Sequence, residues 1–153
     1  MAKTRGIDYL KKNSIEFEVL EYDFKIKGAQ YASYALNVDN ACMIKSIVIR
    51  DNSNNFYFAL LGGNKELNLK EIAKILNVKK VFLADVEEAE RITGYLVGGI
   101  SPFGSKKYLP VIIDEDLKNF EYVYINGGAR GVILKIKFSD LIKILKPLFF
   151  KNI

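Results

Sequence analysis

Twelve residues, Thr93-Gly94-Tyr95-Leu96-Val97-Gly98-Gly99-Ile100-Ser101-Pro102-Phe103-Gly104, constrain this chain more than any others. Four of them are glycine, with a serine and a proline among the rest, so no regular helix or strand is expected to run through them. The run reads as an ordered loop, followed by Lys106 and Lys107. Glycine lets main-chain N–H groups approach a ligand with no Cβ in the way, and Pro102 stiffens the loop that presents them. One reading is a cradle of backbone donors for a carbonyl or phosphate oxygen; the plainer one is a tight connection that holds nothing. No Gly-x-x-x-x-Gly-Lys-Ser/Thr pattern is present and no Gly-x-Gly-x-x-Gly follows a strand, so the nucleotide-binding loops are excluded.

Around the loop, strand patterns outnumber helical ones. Thr4 caps a helix reaching about Asn13, with Ile7 and Leu10 on one face. Ile15 to Tyr22 alternates as a half-buried strand, and a short helix is expected near Ala29 to Leu36. Met43 to Arg50 and Asn55 to Leu61, joined by Asp51-Asn52-Ser53-Asn54, form a hairpin. Asn68 with Glu71 opens a helix over Leu69 to Leu76, and Val81 to Leu83 is a short strand. Asp85 with Glu88 opens another helix ending near Thr93, with Gly94 as its left-handed terminator. Further strands are expected at Leu109 to Ile113, Glu121 to Asn126 and Val132 to Lys137. The last two flank the turn Gly127-Gly128-Ala129-Arg130-Gly131, most simply a hairpin turn. Ser139 is expected to cap a final helix, Asp140 to Lys146, stopped by Pro147. The expectation is one α+β domain over residues 1–153, with a mixed, largely antiparallel sheet and helices around it.

The chain has 153 residues, half of them apolar, which suits one domain with a sizeable core. No run approaches the roughly 18 apolar residues of a bilayer span, and the N-terminus enters a charged helical pattern without a signal-peptide core. The single cysteine, Cys42, fits a reducing compartment, so a soluble cytoplasmic protein is expected. A net charge of +5 favours an anionic partner such as RNA, although a Lys-rich, Asn-rich and Ile-rich composition alone produces the same excess.

Histidine is absent, so any chemistry here runs without an imidazole, and Ser-His and Cys-His nucleophile schemes are excluded. Cys42 reads as core filling, and one cysteine without histidine leaves no plausible metal site. Lys45 is the odd residue of Met43-Ile44-Lys45-Ser46-Ile47-Val48-Ile49. Alternation sets it opposite Ile44 and Ser46, on the face of Ile47 and Ile49, where an ammonium must find polar partners or line a cleft. A lysine at a sheet edge, or one reaching to solvent, is the plainer reading. Tyr22 and Asp140, at a strand end and a helix start, read from the residues alone as a surface tyrosine and a helix-start acid.

With the glycine loop, the strand lysine and Asn126-Gly127-Gly128-Ala129-Arg130-Gly131 in view, the chain resembles the YbaK/EbsC family along essentially its whole length. Leu109-Pro110-Val111-Ile112-Ile113-Asp114 and Asp140-Leu141-Ile142-Lys143-Ile144-Leu145 also carry the likeness. Members include bacterial Cys-tRNA(Pro) deacylases and the editing insertion of bacterial prolyl-tRNA synthetases. The resemblance implies a barrel-like sheet and a trans-editing enzyme that needs no cofactor and removes a wrongly attached amino acid, cysteine above all, from the 3′ end of mischarged tRNA. It also implies prolyl-tRNA synthetase as a partner; a module that binds tRNA or the synthetase without cleaving anything is the competing class. The essential lysine of the family maps to Lys45. Its carbonyl-holding loop maps to Gly98, Gly99, Ile100, Ser101 and Pro102. Tyr22, Gly127, Gly128 and Asp140 map to positions around the pocket. Glu21-Tyr22-Asp23-Phe24-Lys25-Ile26-Lys27 departs from the family by lacking a His-Asp-Pro-like run, which leaves the preferred amino acid open.

Overall fold

Asp51 organises the turn of the longest hairpin. Its carboxylate accepts from the amides of Ser53 (2.8 Å) and Asn55 (3.0 Å), from Asn55 Nδ2 (3.1 Å) and from the Tyr57 hydroxyl (2.8 Å). These bonds close the turn between β2 (Ile44–Asp51) and β3 (Phe56–Gly62), which pair antiparallel from Ile44–Gly62 to Arg50–Phe56. Alternation along β2 sends Ile44 and Val48 into the main core and Ile49 into a second core on the other face. Both faces of this hairpin are therefore covered.

In this computed structural model, residues 2–23, 33 and 35–152 are described. The other strands are β1 (Glu18–Glu21), β4 (Val81–Leu83), β5 (Val111–Asp114), β6 (Tyr122–Asn126), β7 (Val132–Lys137) and β8 (Leu148–Phe150). One sheet has the order β4-β2-β3-β5-β8, the other β1-β7-β6. Four pairings are antiparallel, and only β3–β5 and β5–β8 are parallel, so the sheet is mixed and largely antiparallel as expected. A single bridge, Met43–Tyr124, ties the residue just ahead of β2 to β6. The expected barrel does not close: among the described residues the strand pairings form two sheets with free outer edges, joined at that one bridge.

Three helices begin where capping chemistry placed them. In α1 (Arg5–Lys12) the Thr4 hydroxyl accepts from Ile7 N at 3.0 Å. In α2 (Leu69–Leu76) Asn68 accepts from Glu71 N at 3.3 Å. For α3 (Val86–Thr93) Asp85 and Glu88 form a full capping box, and Gly94 ends the helix at φ 78°. The last helix, α4, runs over Phe138–Leu145, and Ser139 does not cap it. Here β7 passes straight into the helix, and Phe138 N already donates to Glu121 O at 2.8 Å, so no loop remains in which a serine could cap. Lys146 at φ 47° turns the chain into Pro147 and β8, a strand the sequence reading lacked. The short helix expected near Ala29 to Leu36 lies mainly outside the described residues.

Candidate functional site

On one edge β2 meets β4 only from Ile49 onward, with Ala84 N donating to Val48 O at 3.0 Å, and meets β6 only at Met43. Between those points no described strand pairs with this edge. The gap opens into a cleft of about 320 Å³ walled on one side by Met43 to Ile47 and on the other by Val97, Gly98 and Ile100, with Tyr22 and Asn126 at its ends.

Lys45 is half-buried in this cleft. Its ammonium donates to the main-chain carbonyl of Lys65, which leaves the other N–H donors of the group for a ligand. That carbonyl is itself held in place. Lys65 N donates to Gly62 O at 3.1 Å, and the Lys65 side chain reaches the buried Asp114 (2.8 Å) and Asp116. Burial alone would lower the Lys65 pKa, but the hydrogen bonds and charges of the two aspartates outweigh it and raise it. In return the Lys65 hydrogen bond lowers that of Asp116. Beside Lys45, the Ser46 hydroxyl is buried with no partner among the described residues.

The opposite wall is built from glycine contacts. Gly98 sits at φ 93°, and a Cβ there would lie 2.5 Å from Arg130 Nε. At Gly99 a Cβ would fall 2.9 to 3.1 Å from three backbone atoms of Ala129, so this loop rests directly on the 126–131 turn. Asn126 Nδ2 donates to Gly98 O at 3.0 Å while Asn126 Oδ1 accepts from Gly128 N at 2.7 Å, which joins loop and turn through one side chain. Gly99 N is committed to Leu96 O at 2.9 Å. The amides of Gly98 and Ile100 have no acceptor among the described residues.

The structure gathers Tyr22, Lys45, Gly98 and Ile100 of the expected site. Tyr22 is placed by its amide, which donates to Gly131 O at 3.0 Å. Ser101 lies fully buried below the loop, accepting from Phe103 N at 3.1 Å, and Pro102 faces a separate hollow beside Tyr9 and Leu145. Gly127 and Gly128 shape the turn: Gly128 stands at φ 113° against the Tyr95 ring, and Gly127 O accepts from the Thr4 hydroxyl at 2.5 Å. Asp140 lies in another groove, with Glu16, Glu18, Tyr122, Lys135 and Lys137, and does not line the Lys45 cleft. Residues not anticipated as part of the site are Ser46, Lys65 and Asn126. Asn126 stood within the turn motif, whereas no local pattern marked Lys65.

Cys42 belongs to the core, with its thiol donating to Asp39 O at 3.2 Å. Burial first and the Asp39 charge second push that thiol up, away from the thiolate a nucleophile needs. The described residues contain no cluster of side chains suited to a metal.

Residues 25–144 match the aminoacyl-tRNA editing domain, and the chain belongs to that family. It is 28% identical over 151 residues to EbsC of Enterococcus faecalis, provisionally named a Cys-tRNA(Pro)/Cys-tRNA(Cys) deacylase, covering 96% of this chain and 91% of EbsC. It is also 24% identical over 156 residues to the proline–tRNA ligase of Caldicellulosiruptor saccharolyticus, of which it spans 27% while being covered completely itself. A crystal structure described provisionally as a trans-editing enzyme for prolyl tRNA synthetase superposes with a TM-score of 0.88 at 22% identity, over 99% of both chains, which shows a shared fold. The YbaK/EbsC resemblance is thereby borne out, and aminoacyl-tRNA deacylation is the activity that family and relatives support.

Proposed function

We propose that this protein is a trans-editing aminoacyl-tRNA deacylase that removes cysteine from Cys-tRNA(Pro), with Cys-tRNA(Cys) as a further substrate. The observation behind the reading is that one cationic side chain, Lys45, lines the same cleft as Gly98 and Ile100, whose amides have no acceptor among the described residues. The ester joining an amino acid to ribose is already reactive, so a modest catalyst suffices. Attack on its carbonyl builds negative charge on oxygen, and amide donors aimed at such a centre are worth on the order of 3 kcal/mol each in other enzymes. Lys45 neutralises charge on the departing ribose oxygen, and Tyr22 borders the amino-acid end. Gly99, Gly127 and Gly128 keep the loop seated, with Ser101 and Pro102 stiffening its far side. Asp140, in its separate groove, takes no part in this scheme.

With no histidine to act as base, the substrate's own thiol serves as nucleophile. Its sulfur bonds to the carbonyl carbon, the C–O bond to ribose breaks, and the thiol proton passes to the ribose oxygen, leaving a cyclic thiolactone and free tRNA. This lyase-type route explains a cysteine preference that pocket size alone cannot supply, since one methylene discriminates by only about 1 to 3 kcal/mol. The reaction needs no cofactor. Likeness to a segment of proline–tRNA ligases supports association with that synthetase as the source of tRNA selection. The cytoplasm, where charged tRNA is made and used, is the compartment this function requires. No helix among the described residues is long and apolar enough to cross a membrane.

The test is a deacylation panel with Cys-, Ala-, Ser- and Pro-charged tRNA, run on the unaltered protein and on Lys45→Ala. Rapid loss of cysteine, abolished by Lys45→Ala with the urea midpoint unchanged, is the expected result. Full activity in Lys45→Ala overturns the assignment. Equally rapid hydrolysis of the serine ester replaces the thiol route with attack by water. Binding of charged tRNA without turnover makes the protein the non-catalytic module instead.

A further inference from the structure

The glycine bend has a second side. Behind it lies a groove of about 470 Å³ whose walls include Leu96, Val97, Tyr95 and Arg130, and Val97 also lines the Lys45 cleft. We propose that this groove seats the single-stranded 3′ end of the tRNA, with Arg130 and Arg5 facing phosphates and Leu96 and Val97 lying under a base. The proposal rests on the deacylase reading and adds where the polynucleotide runs once its acyl end is in the cleft.

Three observations point to that occupant. Leu96 is 75% exposed and Val97 37% exposed, so two neighbouring apolar side chains stand at the tip of an ordered loop. Apolar contact with the face of a base is tolerant of sequence, since every base has such a face, as an acceptor end shared by all tRNAs requires. The flanking charges are guanidinium groups held against main chain. Arg130 donates to Val97 O at 3.3 Å, and Arg5 donates to Thr93 O at 3.0 Å while lying 4.8 Å over the Tyr95 ring. Neither guanidinium has a carboxylate within ion-pair distance among the described residues, so both keep donors for phosphate oxygens, whose geometry arginine matches. One carboxylate approaches the loop, that of Glu90, and it is drawn to the Val97 amide, from which it accepts at 2.8 Å. Finally, the two clefts share the wall at Val97, so a chain leaving the acyl site over the bend enters this groove directly.

Two substrates separate this from a general loss of function: cysteinyl-tRNA(Pro), and the cysteinyl ester of adenosine, which has the same ester and no phosphate. Kinetics are measured for both, over a range of salt, on the unaltered protein, Arg5→Gln, Arg5→Lys and Leu96→Ser, because Arg130 also packs against Gly98 of the acyl-site loop. Arg5→Gln is expected to raise KM for the tRNA far more than for the ester and to reduce the salt slope for tRNA by about one. Arg5→Lys restores part of the loss. Leu96→Ser, an exposed change that leaves the core intact, is expected to weaken tRNA use by roughly fivefold, the loss of part of the burial of one leucine side chain. Equal losses on both substrates, or no loss on either, overturn the groove assignment while leaving the deacylase reading in place. Failure of the unaltered protein to cleave either substrate overturns both.

Discussion

The turn between β2 and β3 and the loop-on-turn assembly at the cleft treat their polar groups in opposite ways. At the first, one buried carboxylate meets four donors, and Asn54 takes the left-handed conformation at φ 62° that lets the chain wrap round it. At the second, Gly98 and Ile100 have amides with no acceptor among the described residues, and the geometry rests on close contact: Gly99 against Ala129, and Gly98 against the Arg130 side chain. Satisfying buried polar atoms is what stability requires. Holding donors unsatisfied at a fixed position is what binding a charged oxygen requires, and rigid packing makes that possible without closing the donors off. Both ends of β2 are involved, the turn at Asp51 and the cleft at Lys45, about six residues apart along one strand.

The sharpest break in this contrast is Gly99→Ala. The backbone there is ordinary, so one methyl group acts only by pressing on three main-chain atoms that cannot swing away. Overpacking of this kind costs about 1 to 3 kcal/mol of stability. The larger effect falls on activity: displacing the loop by a fraction of an ångström moves both free amides, and kcat/KM for Cys-tRNA(Pro) is expected to drop on the order of a hundredfold. A deacylation assay beside a urea melt separates the two. Loss of stability with undiminished turnover sinks the idea that this contact aims the amides.

The same contrast explains what could be read in the chain beforehand. Asp51-Asn52-Ser53-Asn54, the Asp85/Glu88 box and Asn68/Glu71 are local devices whose partners lie within six residues, and each produced the expected element. Ser139 failed as a cap because its environment was set from elsewhere, by Glu121 across the sheet. β8 was missed because its pattern is short and its partner, β5, is distant in sequence. The cleft divides in the same way. Gly98 and Lys45 stood out as exceptions within their own segments. The support behind Lys45 runs through Lys65 to Asp114, 49 residues further on, and no local spacing signals it. Asp140 entered through family likeness, and the fold sets it in a different groove.

Asp51→Asn attacks the satisfied side. The amide keeps one acceptor oxygen for the Ser53 and Asn55 amides but turns a donor toward Asn55 Nδ2 and removes the charge. Hydrogen bonds to a charged group contribute about 1.5 to 3 kcal/mol, so a loss of about 2 kcal/mol in urea unfolding is expected, with turnover per folded molecule unchanged. Acid should reproduce it. Burial alone would raise the Asp51 pKa, but the four hydrogen bonds outweigh it and hold it below the usual value. A lowered folded pKa gives stability that is present above the ordinary carboxylate pKa, about 4, and lost as pH falls through the folded one. Unfolding scans from pH 6 to 2 should therefore show a steeper acid loss in the unaltered protein than in Asp51→Asn; parallel curves would remove the carboxylate as the cause.

Asp114→Asn probes the support behind Lys45 and is smaller in reach. It weakens the hold on the Lys65 ammonium while still accepting from Asp116 N, now at 3.0 Å from Asp114 Oδ1. Lys65 keeps Asp116, so its main-chain carbonyl is loosened rather than freed. Turnover is expected to fall about tenfold, through kcat more than KM, because Lys45 is displaced from its task rather than removed. Unchanged kcat with a weakened melt would confine the ion pair to stability.

The smallest change, Tyr57→Phe, tests whether the two regions are independent. Burial first, then the hydrogen bond to Asp51 and its charge, push the Tyr57 phenol up to about 12. A raised folded pKa gives stability that is complete below the unfolded value near 10 and lost as pH rises through about 12. Removing the hydroxyl is expected to cost about 1 kcal/mol at neutral pH and to flatten the alkaline limb over that window relative to the unaltered protein, both followed by urea unfolding. Tyr57 pairs with Ile49, on the β4 side of the strand, whereas Lys45 pairs with Leu61 at the cleft. If deacylation per folded molecule falls along with stability, β2 transmits strain from the turn to the cleft, and the division between a satisfied end and an open end gives way to one coupled strand.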